Sequence, residues 1–139
     1  MTPAYALEVA TKAHLGQVDK LGNDYITHPV RVAANFTHDQ ELQSVALLHD
    51  VLEDSDATEE ELRKQFSSQV VDAVVVITKK QGQNYEEYLG LVKANKLALA
   101  VKLADIADNF GRLDQLTDLV TKDRLTKKYQ QAMNILGQL

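Results

Sequence analysis

Ser67-Ser68-Gln69-Val70-Val71-Asp72-Ala73-Val74-Val75-Val76-Ile77 is the stretch on which the fold class turns. Its valines favour a strand on propensity alone. A serine stands at its start, however, and Ser67 or Ser68 can accept a hydrogen bond from a backbone N–H two or three residues on, as helix N-caps do. The run is also long for a strand. Read as a helix, it leaves the chain without any clear strand, because no segment alternates with period 2.

The same local signals recur on both sides. Upstream, Thr58-Glu59-Glu60-Glu61 is a capping box, and Leu62 and Phe66 give the helix it opens an apolar side. Downstream, Asn84-Tyr85-Glu86-Glu87 repeats the capping pattern. Longer helices are expected from Leu97 to about Phe110 and from about Thr121 to Leu136, the second with Leu125, Tyr129, Met133 and Leu136 on one stripe. Towards the N-terminus, one helix is expected from about Asp39 to Leu52. Pro29 opens a short helix running to about Phe36, and Thr2-Pro3 starts the first. Gly16 and Gly22 bracket a loop over residues 17–27, long for a helical domain and of the kind that carries function. The expectation is a single all-α domain over residues 1–139, with about six to eight helices around one core.

Composition excludes several classes. The 139 residues are 45% hydrophobic and 25% charged, values of an ordinary globular domain. The longest apolar runs, Ala73–Ile77 and Leu97–Val101, are far short of the roughly 20 residues a membrane span needs. No membrane partner and a cytoplasmic location are expected. The absence of Cys excludes disulfides, thiolate zinc sites and cysteine nucleophiles. A net charge of −5 offers nucleic acid no general basic surface. The one basic run, Lys122, Arg124, Lys127 and Lys128, is diluted by Asp123 and reads as a solvated helix face. Neither a monomer nor a dimer follows from the sequence.

Residues able to hold a metal lie on apolar elements. His28 directly precedes Pro29. His49 and Asp50 sit inside Val45-Ala46-Leu47-Leu48-His49-Asp50-Val51-Leu52. Asp105 and Asn109 are four apart, on one helix face. Polar groups among apolar neighbours carry a desolvation cost unless paired or bound to a cation. Two imidazoles and two carboxylates form a mixed N/O set suited to Mn²⁺, Fe²⁺ or another octahedral divalent ion. Each piece also has a plain reading: a helix-terminal His, two surface residues, one polar stripe. Adjacent helical positions point about 100° apart, so His49 and Asp50 share an ion only if it lies between their directions.

Three blocks carry a resemblance. Ala13-His14-Leu15-Gly16-Gln17 with Lys20-Leu21-Gly22-Asn23-Asp24-Tyr25-Ile26-Thr27-His28-Pro29-Val30-Arg31-Val32-Ala33 is the first. Ala46-Leu47-Leu48-His49-Asp50-Val51-Leu52-Glu53-Asp54 and Val101-Lys102-Leu103-Ala104-Asp105 are the others. In this order they resemble the HD-type hydrolase domain of the RelA/SpoT proteins, and the chain's length resembles a small alarmone hydrolase. That resemblance implies an all-α HD domain that removes pyrophosphate from the 3′ position of ppGpp or pppGpp, with Mn²⁺ as the usual metal and a phosphorylated guanosine nucleotide as substrate. It carries the metal ligands over to His28, His49, Asp50 and Asp105. Glu53 and Asp54 match the carboxylates that orient water and move protons. Asn109 matches a nucleotide contact, and Lys20 matches a loop residue that neutralises phosphate.

Two positions depart from the pattern. Asp19 stands where the family usually has Arg, and is expected to repel phosphate. Ile106 stands where it usually has Arg or Lys. These departures keep two alternatives open: a different phosphorylated nucleotide as substrate, or a nucleotide-binding module without turnover. Retention of Glu53 and Asp54 argues against the second. Tyr25 is expected to pack the loop. Lys102 reads as a surface lysine. Arg112, Lys79 and Lys80 are candidates to supply the missing positive charge, with solvated surface as the plainer reading of such lone residues. His14 and His38 carry no assigned role.

Overall fold

The computed structural model describes residues 2–137. They form nine α-helices: α1 Pro3–Ala13, α2 Thr27–Ala33, α3 Gln40–Leu48, α4 Val51–Asp54, α5 Glu59–Gln65, α6 Ser68–Ile77, α7 Tyr85–Ala94, α8 Lys96–Gly111 and α9 Leu119–Ile135, with 3-10 turns at Ala34–Phe36 and Leu113–Gln115. The chain is all-α as expected. Among the described residues the only β-type pairing is a bridge between Val18 and Asp24. None of these helices is long and apolar enough to cross a membrane.

The valine-rich stretch is a helix. The Ser67 hydroxyl accepts the Val70 N–H at 3.3 Å, and Val70, Val71, Ala73, Val74 and Ile77 are buried. Fully burying one valine stabilises by about 1.5 kcal/mol or more. The intrinsic helix penalty of a β-branched residue is below about 0.7 kcal/mol, so packing wins. The capping box at Thr58 and Glu61 forms in both directions.

α3 runs through the middle of the core. Ser44, Val45, Ala46, Leu47 and Leu48 are all buried, with α1, α2, α6 and α8 packed around the helix. Three boundaries differ from expectation. The helix expected from Asp39 to Leu52 breaks at His49-Asp50 into α3 and α4; counted as one, the helices number eight. α2 starts at Thr27, so His28 and Pro29 lie within it; Pro29 is its third residue, where a backbone N–H has no intrahelical partner to lose. α9 starts at Leu119 because Asp118, not a later residue, caps it. Ahead of α2, the loop reverses at Gly16 and Gly22, with φ of +81° and +86° that glycine adopts without strain.

Candidate metal centre and adjoining cavity

The break between α3 and α4 shapes the site. The His49 backbone N–H reaches only three residues back, to the Ala46 carbonyl at 3.5 Å. Its Nδ1 meets the same carbonyl at 2.5 Å. A carbonyl only accepts, so Nδ1 carries a proton and Nε2 is the nitrogen that faces the carboxylates. Asp50, at the start of α4, has φ −106° and ψ 0°. Its Oδ2 lies 3.1 Å from His49 Nε2. The break thus lets adjacent residues face one point, which a continuous helix would oppose.

α2 and α8 supply the rest. His28 Nε2 lies 2.8 Å from Asp105 Oδ1 and 3.9 Å from Asp50 Oδ2. His49 Nε2 is 3.4 Å from Asp105 Oδ1. Ligand atoms of His28, His49 and Asp105 all fall within 4.8 Å of one another. These three residues are 3%, 2% and 7% exposed, so little water screens them. The structure therefore brings together all four residues singled out in the sequence.

The donor set fits a cation. His49 Nε2 is buried and makes no hydrogen bond, although two carboxylate oxygens stand near it. Lone pairs facing lone pairs repel unless a proton or a metal ion lies between them. Burial pulls the His49 imidazole down, but Asp50 and Asp105 outweigh it and hold it well above its usual range. Burial likewise pushes the Asp105 carboxyl up, and Lys102 with the two histidines drives it well below. A divalent ion on two nitrogens and two carboxylates would relieve the same repulsion.

Glu53 and Asp54 occupy α4 at the exposed rim. Glu53 Oε1 accepts the Lys79 backbone N–H at 3.0 Å, which places Lys79 against the site. Partial desolvation and the Asp50 charge push both carboxyls above their ordinary values. Each therefore holds a proton more readily than a free carboxylate.

Residues 6–96 match the family model described as HD domain. The chain belongs to the HD domain family. Among its relatives is the guanosine-3′,5′-bis(diphosphate) 3′-pyrophosphohydrolase of Aquifex aeolicus, 36% identical over 119 residues that cover 78% of this chain and 17% of the relative. The bifunctional (p)ppGpp synthase/hydrolase SpoT of Escherichia coli is 34% identical over 122 residues, covering 78% and 17%. The chain thus spans under a fifth of these curated relatives. A solved structure, described as a metazoan ortholog of SpoT that hydrolyzes ppGpp and plays a role in starvation responses, superimposes with a TM-score of 0.82 at 26% identity. It covers 97% of this chain and 85% of its own. The matched span of the HD domain holds His28, His49, Asp50, Glu53 and Asp54; Asp105 comes from beyond it.

Several residues around the HD site escaped the sequence reading. Asp108 Oδ2 accepts the His28 Nδ1–H at 2.7 Å, and Arg31 Nε donates to Asp108 Oδ1 at 2.9 Å. This chain fixes the His28 ring and aims Nε2 inward, the usual job of an outer carboxylate. Lys102 is not a surface lysine: its ammonium lies 3.2 Å from Asp105 Oδ2 and 5.5 Å above the Tyr88 ring. The available signal was spacing, since Asp108, Lys102 and Arg31 each lie three residues from a candidate ligand. Tyr25 packs the loop as expected, and its hydroxyl also donates to Asp50 Oδ2 at 2.6 Å. His14 is buried against Tyr25 and bonded through Nδ1 to Gln17 at 2.8 Å.

Asp19 does not project its charge at the site. Its Oδ1 accepts the Leu21 and Asn23 backbone N–H groups at 2.9 and 3.0 Å. Its Oδ2 lies 3.1 Å from Arg112 Nη2, so Arg112 is no free surface charge either. Ile106 is 2% exposed in the core. The basic run on α9 is largely a solvated face, with Lys127 paired to Asp123 and Lys128 over the Tyr85 ring.

Beside the centre lies a cavity of about 340 Å³, within the size range of small-molecule sites. Asp19, Lys20, Tyr25, Asn109 and Arg112 supply its polar lining, and Leu21, Leu113, Leu125 and Tyr129 supply apolar walls. Two bonds tie it to the ligands: Tyr25 to Asp50, and Asn109 Nδ2 to Asp105 Oδ1 at 3.2 Å. A larger groove of about 1220 Å³ along α1 and α5 reaches the site only at Gln17 and Asp54.

Proposed function

We propose that this HD domain is a Mn²⁺-dependent phosphohydrolase that releases pyrophosphate from the 3′ position of ppGpp or pppGpp in the cytoplasm. The observation that carries the reading is the buried meeting of His28, His49 and Asp105, with Asp50 beside the two imidazoles. The names of its relatives supply the substrate class.

His28, His49, Asp50 and Asp105 would hold the ion. A bound divalent ion would make water more acidic and polarise a phosphoryl oxygen. Tyr25 keeps Asp50 Oδ2 in place, and Asp108 does the same for His28. In the reaction, the water oxygen bonds to phosphorus and the bond from phosphorus to the 3′ oxygen breaks. One proton leaves the water and one arrives on the 3′ oxygen, giving GDP from ppGpp together with pyrophosphate. Glu53 and Asp54 move these protons, a task helped by the burial and the neighbouring Asp50 charge that push both carboxyls above their ordinary values. Lys20, exposed at the cavity mouth, meets phosphate charge, and Asn109 contacts the nucleotide beside Asp105.

The test is chromatographic. Protein loaded with Mn²⁺ is incubated with ppGpp and pppGpp, and nucleotide and pyrophosphate are quantified. One pyrophosphate per nucleotide, abolished by EDTA, is the expected result. Turnover of another phosphorylated nucleotide but not of these two would move the enzyme to a different substrate, a reading the changed residues at 19 and 106 favour. Turnover of none would leave a binding module.

A further inference from the structure

Resting on that functional reading, we infer that Arg112 contacts the nucleobase of the substrate and that Asp19 is the positioning residue that holds it there. Asp19 also lines the cavity, but its polar atoms are already engaged within the protein. Its backbone N–H donates to the Asn23 carbonyl at 2.8 Å, and its Oδ1 is used by the Leu21 and Asn23 amides. Its Oδ2 is buried with only the Arg112 guanidinium beside it. The carboxylate therefore organises the loop and points its remaining charge at one partner.

Arg112 follows the last turn of α8. Asp105, Asn109 and Arg112 are spaced four and then three, which is one face of the helix. That face runs from the metal cluster, past Asn109, to Arg112 at about 10 Å along the axis. Arg112 and Asn109 both line the cavity. A phosphate held at the metal cluster thus leaves the far end, where Arg112 stands, for the other end of a nucleotide.

Charge and surroundings select the base over phosphate. The Arg112 side chain is 20% exposed and paired with a carboxylate 12% exposed. The pair is neutral as a unit and adds little field for an anion. The guanidinium keeps its flat face and its unused donors, which suit stacking on a ring and hydrogen bonds to ring acceptors. Leu113, Leu125 and Tyr129 are its neighbours in the cavity wall, a lining for a flat ring. Lys20, which makes no ion pair among the described residues, is left for phosphate.

The test compares ligands with and without a base. KM and kcat for ppGpp, the calorimetric Kd for GDP, and the inhibition constant of inorganic pyrophosphate are measured for wild type, Arg112→Gln, Arg112→Lys and Asp19→Asn. Both Arg112 variants should raise KM and the GDP Kd about tenfold with kcat within about twofold, as a uniform-binding contact does. The pyrophosphate constant should not move. Asp19→Asn keeps the Oδ1 acceptor and should give the same pattern at about threefold. A pyrophosphate constant weakened in step with GDP would make Arg112 a phosphate contact and overturn the inference. So would wild-type behaviour of Arg112→Lys, since charge alone would then suffice. Wild-type turnover of ppGpp with unchanged KM in all variants rejects this inference alone. Absence of wild-type ppGpp turnover rejects the functional reading and this inference with it.

Discussion

Replacing Asp108 with alanine removes a residue that touches no metal in our scheme, yet it should weaken Mn²⁺ binding. Asp108 takes the His28 Nδ1–H at 2.7 Å and is itself gripped by Arg31 at 2.9 and 3.1 Å. Without it, the ring keeps its place in α2 but loses the bond that sets its tautomer and tilt. Losing such an outer carboxylate typically costs 10–100-fold in metal affinity, and a thirtyfold loss is about 2 kcal/mol. With Mn²⁺ at 100 times the wild-type Kd, the wild type gains about 2.7 kcal/mol of stability, and a variant binding thirtyfold more weakly gains about 0.9. For a chain of 139 residues, each kcal/mol moves Tm by about 3–5 °C. The Mn²⁺-induced rise in Tm should therefore be about 6–9 °C smaller in Asp108→Ala. Thermal scans of both proteins in EDTA and in Mn²⁺ measure it. An equal rise in the two proteins, with Asp108→Ala lower by the same amount in both buffers, would refute the reasoning. Asp108 would then serve only the packing of α2 on α8.

Further outcomes follow from the same site. Glu53→Gln should keep the Mn²⁺-induced stabilisation and lose about 10²–10⁴-fold in turnover; unchanged turnover would reduce Glu53 to a brace for the Lys79 amide. Lys102→Met takes away the ammonium partner of the buried Asp105 carboxylate and leaves it to His28, His49 and Asn109, so its Tm in EDTA should fall. Removing a positive charge 3.2 Å from a ligand oxygen should at the same time tighten Mn²⁺ binding; looser binding by calorimetry would show that the ammonium mainly positions Asp105. The pH dependence has a definite sign. The folded His49 value lies well above 6.5, so its contribution in EDTA is complete below pH 6.5 and is lost as pH rises through the folded value. Asp105 lies well below 3.8, so its contribution is present above that pH and is lost only on acidification. Tm in EDTA should thus decline on the alkaline side. Mn²⁺ should offset the decline, because protons compete with the ion for His49; parallel curves with and without Mn²⁺ would contradict this.

Local chemistry was legible from the chain alone. The Thr58–Glu61 box, the Ser67 cap and the Asn84 cap are contacts between residues three apart, so their patterns contain all the atoms involved. The valines of α6 needed only their spacing and a cap to be read as a helix. His28, His49, Asp50 and Asp105 stood out because ionisable groups on apolar elements demand a partner. What those groups face was decided by packing. The turn that lets His49 and Asp50 converge depends on Ala46 accepting twice within the buried α3. His28 meets Asp105 and Asp108 across 77 and 80 residues of sequence because α2 lies on α8. A carboxylate at position 19 read alone repels phosphate; with Arg112 beside it, the charge is neutralised and its partner is held in the cavity. A sequence records the sign of each charge, but its effect depends on the nearest opposite charge and on how much water lies between them, and both are set when helices distant in sequence pack.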